Sequence, residues 1–178
     1  MGSMTFWKKP PSPPDEPVMK SIVYRGGVVT FRIPSHWHEE YSDVEGGTFY
    51  EDPDSGTMRL KIILATTRQL HSYSAMDLLQ PLIEGLKRMG QQCTKAVRPD
   101  GNAVLKYEEA GLERGIPLTI FYWVVVNPLP PSHLRCATFS YAIPTVWRNE
   151  RRVRRDLEML EAEIDAATFS PEVGVVSE

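Results

Sequence analysis

Ile116-Pro117-Leu118-Thr119-Ile120-Phe121-Tyr122-Trp123-Val124-Val125-Val126 is the most informative stretch of the chain. At period two, Leu118, Ile120, Tyr122 and Val124 fall on one side, and Phe121, Trp123 and Val125 on the other. A strand apolar on both faces has to be interior to a sheet that is covered on both sides. Its neighbours read as strands too. Residues 134–143 put Phe139 and Tyr141 on one face, after a proline-rich loop at 127–132. On the other side, Glu113-Arg114-Gly115 makes a turn, and strands at 91–98 and 103–110 flank Pro99-Asp100-Gly101-Asn102, a strong turn signal.

Further out, Val29, Phe31 and Ile33 alternate with Val28, Thr30 and Arg32, and Pro34 ends that strand. A short strand around 48–51 leads into Asp52-Pro53-Asp54-Ser55-Gly56, where proline fixes φ and glycine permits positive φ. Met58, Leu60, Ile62 and Leu64 then face away from Arg59 and Lys61, so the two strands are expected to form an antiparallel hairpin. The period changes at Leu79, Leu82, Ile83 and Leu86, a helical stripe extended by Met76 and Met89. Ser74 and Asp77 form a capping-box pattern, and Lys87, Arg88 and Gly90 suit the far end. Pro81 is discordant: either it kinks this helix or the helix starts there. A last helix over 146–167 buries Val153, Leu157, Leu160 and Ile164.

The order strands, helix, strands, helix predicts an α+β fold: a mostly antiparallel sheet covered by two main helices, in the manner of an α/β/α sandwich. One domain spans 19–169. Residues 1–18, with Pro10, Pro11, Pro13, Pro14 and Pro17, read as a disordered or extended tail, and 170–178 as a second tail. Lys8-Lys9-Pro10-Pro11-Ser12-Pro13-Pro14 fits a polyproline ligand pattern, but such matches arise easily in proline-rich tails and a passive extension is the plainer reading.

The net charge of −3, from 20 basic and 23 acidic residues, argues against a nucleic-acid binder. No apolar run is long enough to span a membrane. The first twenty residues lack a secretory h-region, and Cys93 and Cys136 have no near partner, so a cytoplasmic protein is expected.

Legible catalytic chemistry is scarce. No nucleophile elbow, phosphate loop or dinucleotide fingerprint occurs, and no cofactor is implied. Cys136 sits inside a strand as a small hydrophobe. His36 and His38 flank Trp37 and would point the same way in an extended segment, which makes them metal-ligand candidates if His71 or His133 joins them. The plainer reading is two turn residues beside a packed tryptophan. Phe121, Trp123, Phe139 and Tyr141 could line an apolar pocket, or simply be core.

The last helix breaks a local rule. Its first half carries Arg148, Arg151, Arg152, Arg154 and Arg155, and its second half Glu158, Glu161, Glu163 and Asp165, against the macrodipole. Glu150–Arg154, Arg152–Asp156 and Arg154–Glu158 are expected to compensate in part. Arg148, Arg151, Arg152 and Arg155 share one face and form the candidate partner-binding patch, against the alternative of a solvated face.

Val29-Thr30-Phe31-Arg32-Ile33-Pro34-Ser35-His36-Trp37, followed by the hairpin over 49–64, a helix, several strands and a long helix ending at Thr168-Phe169, resembles the PsbP/DcrB-like group of α/β/α sandwiches. The resemblance implies a mostly non-catalytic role. The group includes photosystem accessory proteins, a nuclear import factor and cytosolic chaperones for secreted bacterial effectors. Without an export signal, the expectation is the cytosolic accessory type: a bacterial binding protein, chaperone-like, for a protein partner. The alternative is a small enzyme or metal-binding protein centred on His36 and His38.

Overall fold

The computed structural model describes residues 17–66 and 72–172. His71 and almost all of the proline-rich segment lie outside the described residues. The strands are β1 (Met19–Tyr24), β2 (Val29–Pro34), β3 (His38–Ser42), β4 (Gly46–Tyr50), β5 (Thr57–Thr66), β6 (Cys93–Val97), β7 (Ala103–Glu113), β8 (Ile116–Leu129), β9 (His133–Pro144) and β10 (Thr168–Phe169). The helices are α1 (Ala75–Arg88) and α2 (Arg151–Asp165).

Seven strands form one sheet in the order β3-β4-β5-β9-β8-β7-β6, and β1-β2-β10 form a smaller one. All pairings are antiparallel. The strand apolar on both faces, β8, lies between β9 and β7 as its composition requires. On one side, Trp123, Val125, Phe139 and Tyr141 pack with β1, β2 and the apolar stripe of α2. On the other, Leu105, Val124 and Val126 pack under Leu79, Ile83 and Leu86 of α1. The two helices therefore cover opposite faces of the α+β sandwich.

The 52–56 hairpin forms between β4 and β5, but Gly56 is needed for a reason other than φ. A Cβ there would sit 2.1 Å from the Tyr141 hydroxyl. Gly46, by contrast, has φ +87 and opens β4 where it presses on the Leu60 carbonyl.

Two expectations are corrected, one alternative is decided and two strands are added. Residues 127–132 are not all loop: Asn127, Pro128 and Leu129 stay in the ladder opposite Arg135, Leu134 and His133. α1 starts at Ala75, not at Pro81, because the Ser74 hydroxyl accepts from the Asp77 N–H while Asp77 accepts from the Ser74 N–H. The last helix starts at Arg151, after a 3-10 turn at Thr145–Trp147. β1 and β3 were not foreseen. β3 is exposed along its whole length, so it carries no apolar alternation to read.

Candidate binding site

The four histidines of the sequence divide. His36 lies in the turn after β2 and faces Glu51 at 3.2 Å. His38 opens β3 and leans on the Tyr50 ring, centroids 5.5 Å apart. Between them Trp37 is buried. His133 pairs with Thr66, nine residues along β5 from the Thr57 that neighbours Tyr50, which puts it about 30 Å away. Among the described residues no three metal-ligating side chains converge. Burial raises the pKa of Cys136, which keeps it a thiol rather than a nucleophilic thiolate.

The arginines in and just before α2 are mostly engaged within the chain. Arg148 grips Glu108 of β7 with two hydrogen bonds, 2.8 and 2.9 Å. Arg152 lies over the Trp147 ring at 5.4 Å, and Arg155 reaches Asp156 at 3.4 Å. Arg151 and Arg154 make no ion pair among the described residues. The expected i,i+4 pairs do not form: Arg152 lies over the Trp147 ring instead, and Arg154 pairs with neither Glu150 nor Glu158. The acids at the far end of α2 are also answered from outside. Lys106 takes Glu161 and Asp165, and Arg32 takes Glu163 with two hydrogen bonds. Burial lowers the Lys106 pKa, but Glu161 and Asp165 outweigh it and the net shift is upward, so the ammonium persists. Tertiary charge pairing thus compensates the inverted dipole pattern.

Two of these pairs border a cleft of about 390 Å³ between α2 and the β6–β7 corner. Phe121, Trp123 and Leu157 make its apolar floor, and Lys106, Glu108 and Glu161 stand around it. Phe121 and Leu157 are half-buried, so apolar surface is accessible there. Phe139 and Tyr141, grouped with these aromatics in the sequence, are instead fully buried core. On the reverse face of β7 and β8, Tyr107 stacks on Tyr122 with centroids 4.8 Å apart. Burial, and then Tyr122, push the Tyr107 hydroxyl up to about 12, so it stays protonated at neutral pH.

Sequence reading missed two arginines that anchor the backbone, one buried and one half-buried. Arg135 has no exposed surface and donates to Asn127 Oδ1 and to the carbonyls of Val28, Ser170 and Glu172. Arg98 donates to the Ile164 and Ala167 carbonyls at the end of α2 and covers the Phe169 ring. A signal existed for the first: Arg135 is in phase with Ala137, Phe139, Tyr141 and Ile143 on the inward face. Arg98, read as the last residue of a strand, instead follows the end of β6 at Val97, just before the turn at Pro99-Asp100.

Among solved structures, the chain is similar to LpqN of Mycobacterium tuberculosis, a protein involved in cell envelope biogenesis, at 18% identity, TM-score 0.58, covering 86% of this chain and 91% of that one. It is similar to the Saccharomyces cerevisiae Ran-binding protein Mog1p at 10% identity and TM-score 0.51, with 86% and 96% covered. A Bacteroides thetaiotaomicron structure matches at 16% identity and TM-score 0.55 over 85% of this chain. The chain spans 48% of the length of that protein. No family model and no curated protein matches the sequence. At these identities the likeness shows a shared fold alone.

Proposed function

We propose that this chain is a non-enzymatic binding or accessory protein of bacterial type that engages a protein partner in the cytoplasm. The observation that carries the reading is the cleft beside α2: an apolar floor of Phe121, Trp123 and Leu157 bordered by fixed ion pairs. An apolar floor with a charged border is the anatomy of a protein-binding spot rather than of a proton-transfer site. The description of one structural neighbour as Ran-binding and of another as involved in cell envelope biogenesis supports an accessory role. Two free thiols suit a reducing compartment. The test is co-purification from the source organism with the full chain and with Thr94→Trp, which fills the cleft from an exposed position. One protein should be recovered in near-stoichiometric amount by the wild type and lost with the variant, at unchanged melting temperature. Equal recovery by both would remove the cleft from the account.

A further inference from the structure

We propose that the half of the large sheet left open beside α1 is a polyproline-binding surface whose ligand is the chain's own segment from Lys8 to Pro17, with its lysine end over Glu109. The surface lies on the opposite face of the sheet from the cleft, so the proposal goes beyond the partner reading.

The open face follows from the register. One row of side chains crosses the sheet at right angles to the strands: His38, Tyr50, Thr57, Ala142, Ile120 and Glu109, each opposite the next. α1 packs on Leu105, Val124 and Val126 of the same face. Leu105 and Val124 lie four residues along their strands from Glu109 and Ile120, roughly 13 Å away. The row belongs to neither hydrophobic core. Tyr50, Thr57, Ala142 and Ile120 are half-buried, and His38 and Glu109 are exposed. One position along on the other face, Phe49, Met58 and Tyr141 are buried. Tyr122, stacked on Tyr107, stands beside Ile120 on the open face. Aromatic and aliphatic side chains in a strip, with a carboxylate at one end, suit a proline-rich ligand with a basic end.

The occupant follows from where the described chain begins. Pro17 is exposed, and the Val18 carbonyl accepts from the Ser35 N–H at 2.7 Å, which sets this end beside the turn into His38. Residues 8–16 therefore attach where the row starts. From β3 to β7 the row crosses five strand spacings, about 24 Å. A polyproline helix rises about 3.1 Å per residue, which carries Lys9 and Lys8 about 25–28 Å from Pro17, level with Glu109. Its three-residue turn puts Lys8, Pro11, Pro14 and Pro17 on one side at intervals of about 9 Å, close to two strand spacings. Pro14 then meets β5 at Thr57, and Pro11 meets β8 at Ile120 and Tyr122.

The charges agree with that direction. Glu109 makes no ion pair among the described residues, and Lys8 and Lys9 bring cations to it. Arg59 lies two residues from Thr57 on the same face and reaches only Glu45, at 3.9 Å. Asp15 arrives beside it. The opposite direction would set Asp15 and Glu16 against Glu109, and the lysines against Arg59.

The test places the photo-crosslinker p-benzoylphenylalanine at Ser12 of the purified full chain, which spares the prolines and lysines. Ser12 falls over β9, so the expected product is an adduct within one chain, mapped by mass spectrometry to residues 118–122 or 140–144. Glu109→Lys should lower its yield about threefold, and adding Lys8→Glu with Lys9→Glu should restore it. Pro11→Ala with Pro14→Ala should lower the yield about tenfold, against less than about twofold for Pro10→Ala with Pro13→Ala, which lie off the contacting side. Adducts on the cleft face at Trp123 or Leu157, equal losses from both proline pairs, or indifference to the charge exchange would each overturn the proposal. So would adducts only at the mass of two chains, which assign the segment to a second copy. No adduct at all would also overturn it and leave the face to a different ligand.

Discussion

The two ends of α2 use arginine in opposite ways. At its C-terminal end, the half-buried Arg98 and the fully buried Arg135 spend their donors mostly on backbone carbonyls, fastening the helix end and residues 170–172 onto the sheets. At its start, Arg148, Arg151, Arg152 and Arg155 lie at the surface, paired with a carboxylate, a ring or solvent. A buried guanidinium is costly to desolvate and costly to remove, because its acceptors are then stranded. An exposed one adds little stability but shapes the charge that a partner meets. The C-terminal end is accordingly the lock of the fold. The N-terminal end, with the cleft beside it, is the surface that remains available.

Substitutions should separate the two ends. The largest effect is expected at Arg135→Met, which strands Asn127 Oδ1 and the Ser170 and Glu172 carbonyls; urea denaturation should register a loss of about 3 kcal/mol. Next, Arg98→Ala should cost about 1–2 kcal/mol by freeing the last carbonyls of α2, with amide exchange accelerating first around Ile164–Phe169. If Arg148→Ala costs as much as either, the contrast between the ends fails.

A smaller effect lies between them. Asp156 is buried in α2 and accepts from the Tyr141 hydroxyl at 3.1 Å. Burial raises its pKa, against the opposing influence of Tyr141 and Arg155. The folded state thus holds this proton more tightly than the unfolded chain, and stability falls as pH rises from roughly 4, the unfolded carboxyl range, through the folded pKa. Asp156→Asn should abolish that part of the slope in melting temperatures taken across the window. An unchanged slope would assign the pH dependence to other groups. The smallest effect is expected at Arg151→Gln, within about 0.5 kcal/mol of wild type.

Much of this was readable from residue order, and the exceptions have physical causes. The both-face apolar pattern of β8 placed it inside the sheet, and the Ser74–Asp77 box marked the start of α1. The three residues Asn127, Pro128 and Leu129 read as loop because proline is a strand breaker, yet β8 carries them opposite β9. The inverted charge of α2 looked only partly compensated, by i,i+4 pairs, because its actual partners, Lys106, Arg32 and Glu108, come from strands distant in sequence. The cleft was half legible: Phe121 and Trp123 line it, while Phe139 and Tyr141 belong to the core. What no periodicity discloses is that Leu157 of α2 joins Phe121 and Trp123 in the floor.

The most direct test of the division of labour is site-specific photo-crosslinking in the source organism, from Thr94 on the cleft side and from Thr168 in β10 at the locked end, both exposed. The account predicts one dominant protein adduct from Thr94 and none from Thr168. Adducts of equal yield from both positions, or from Thr168 alone, would contradict it.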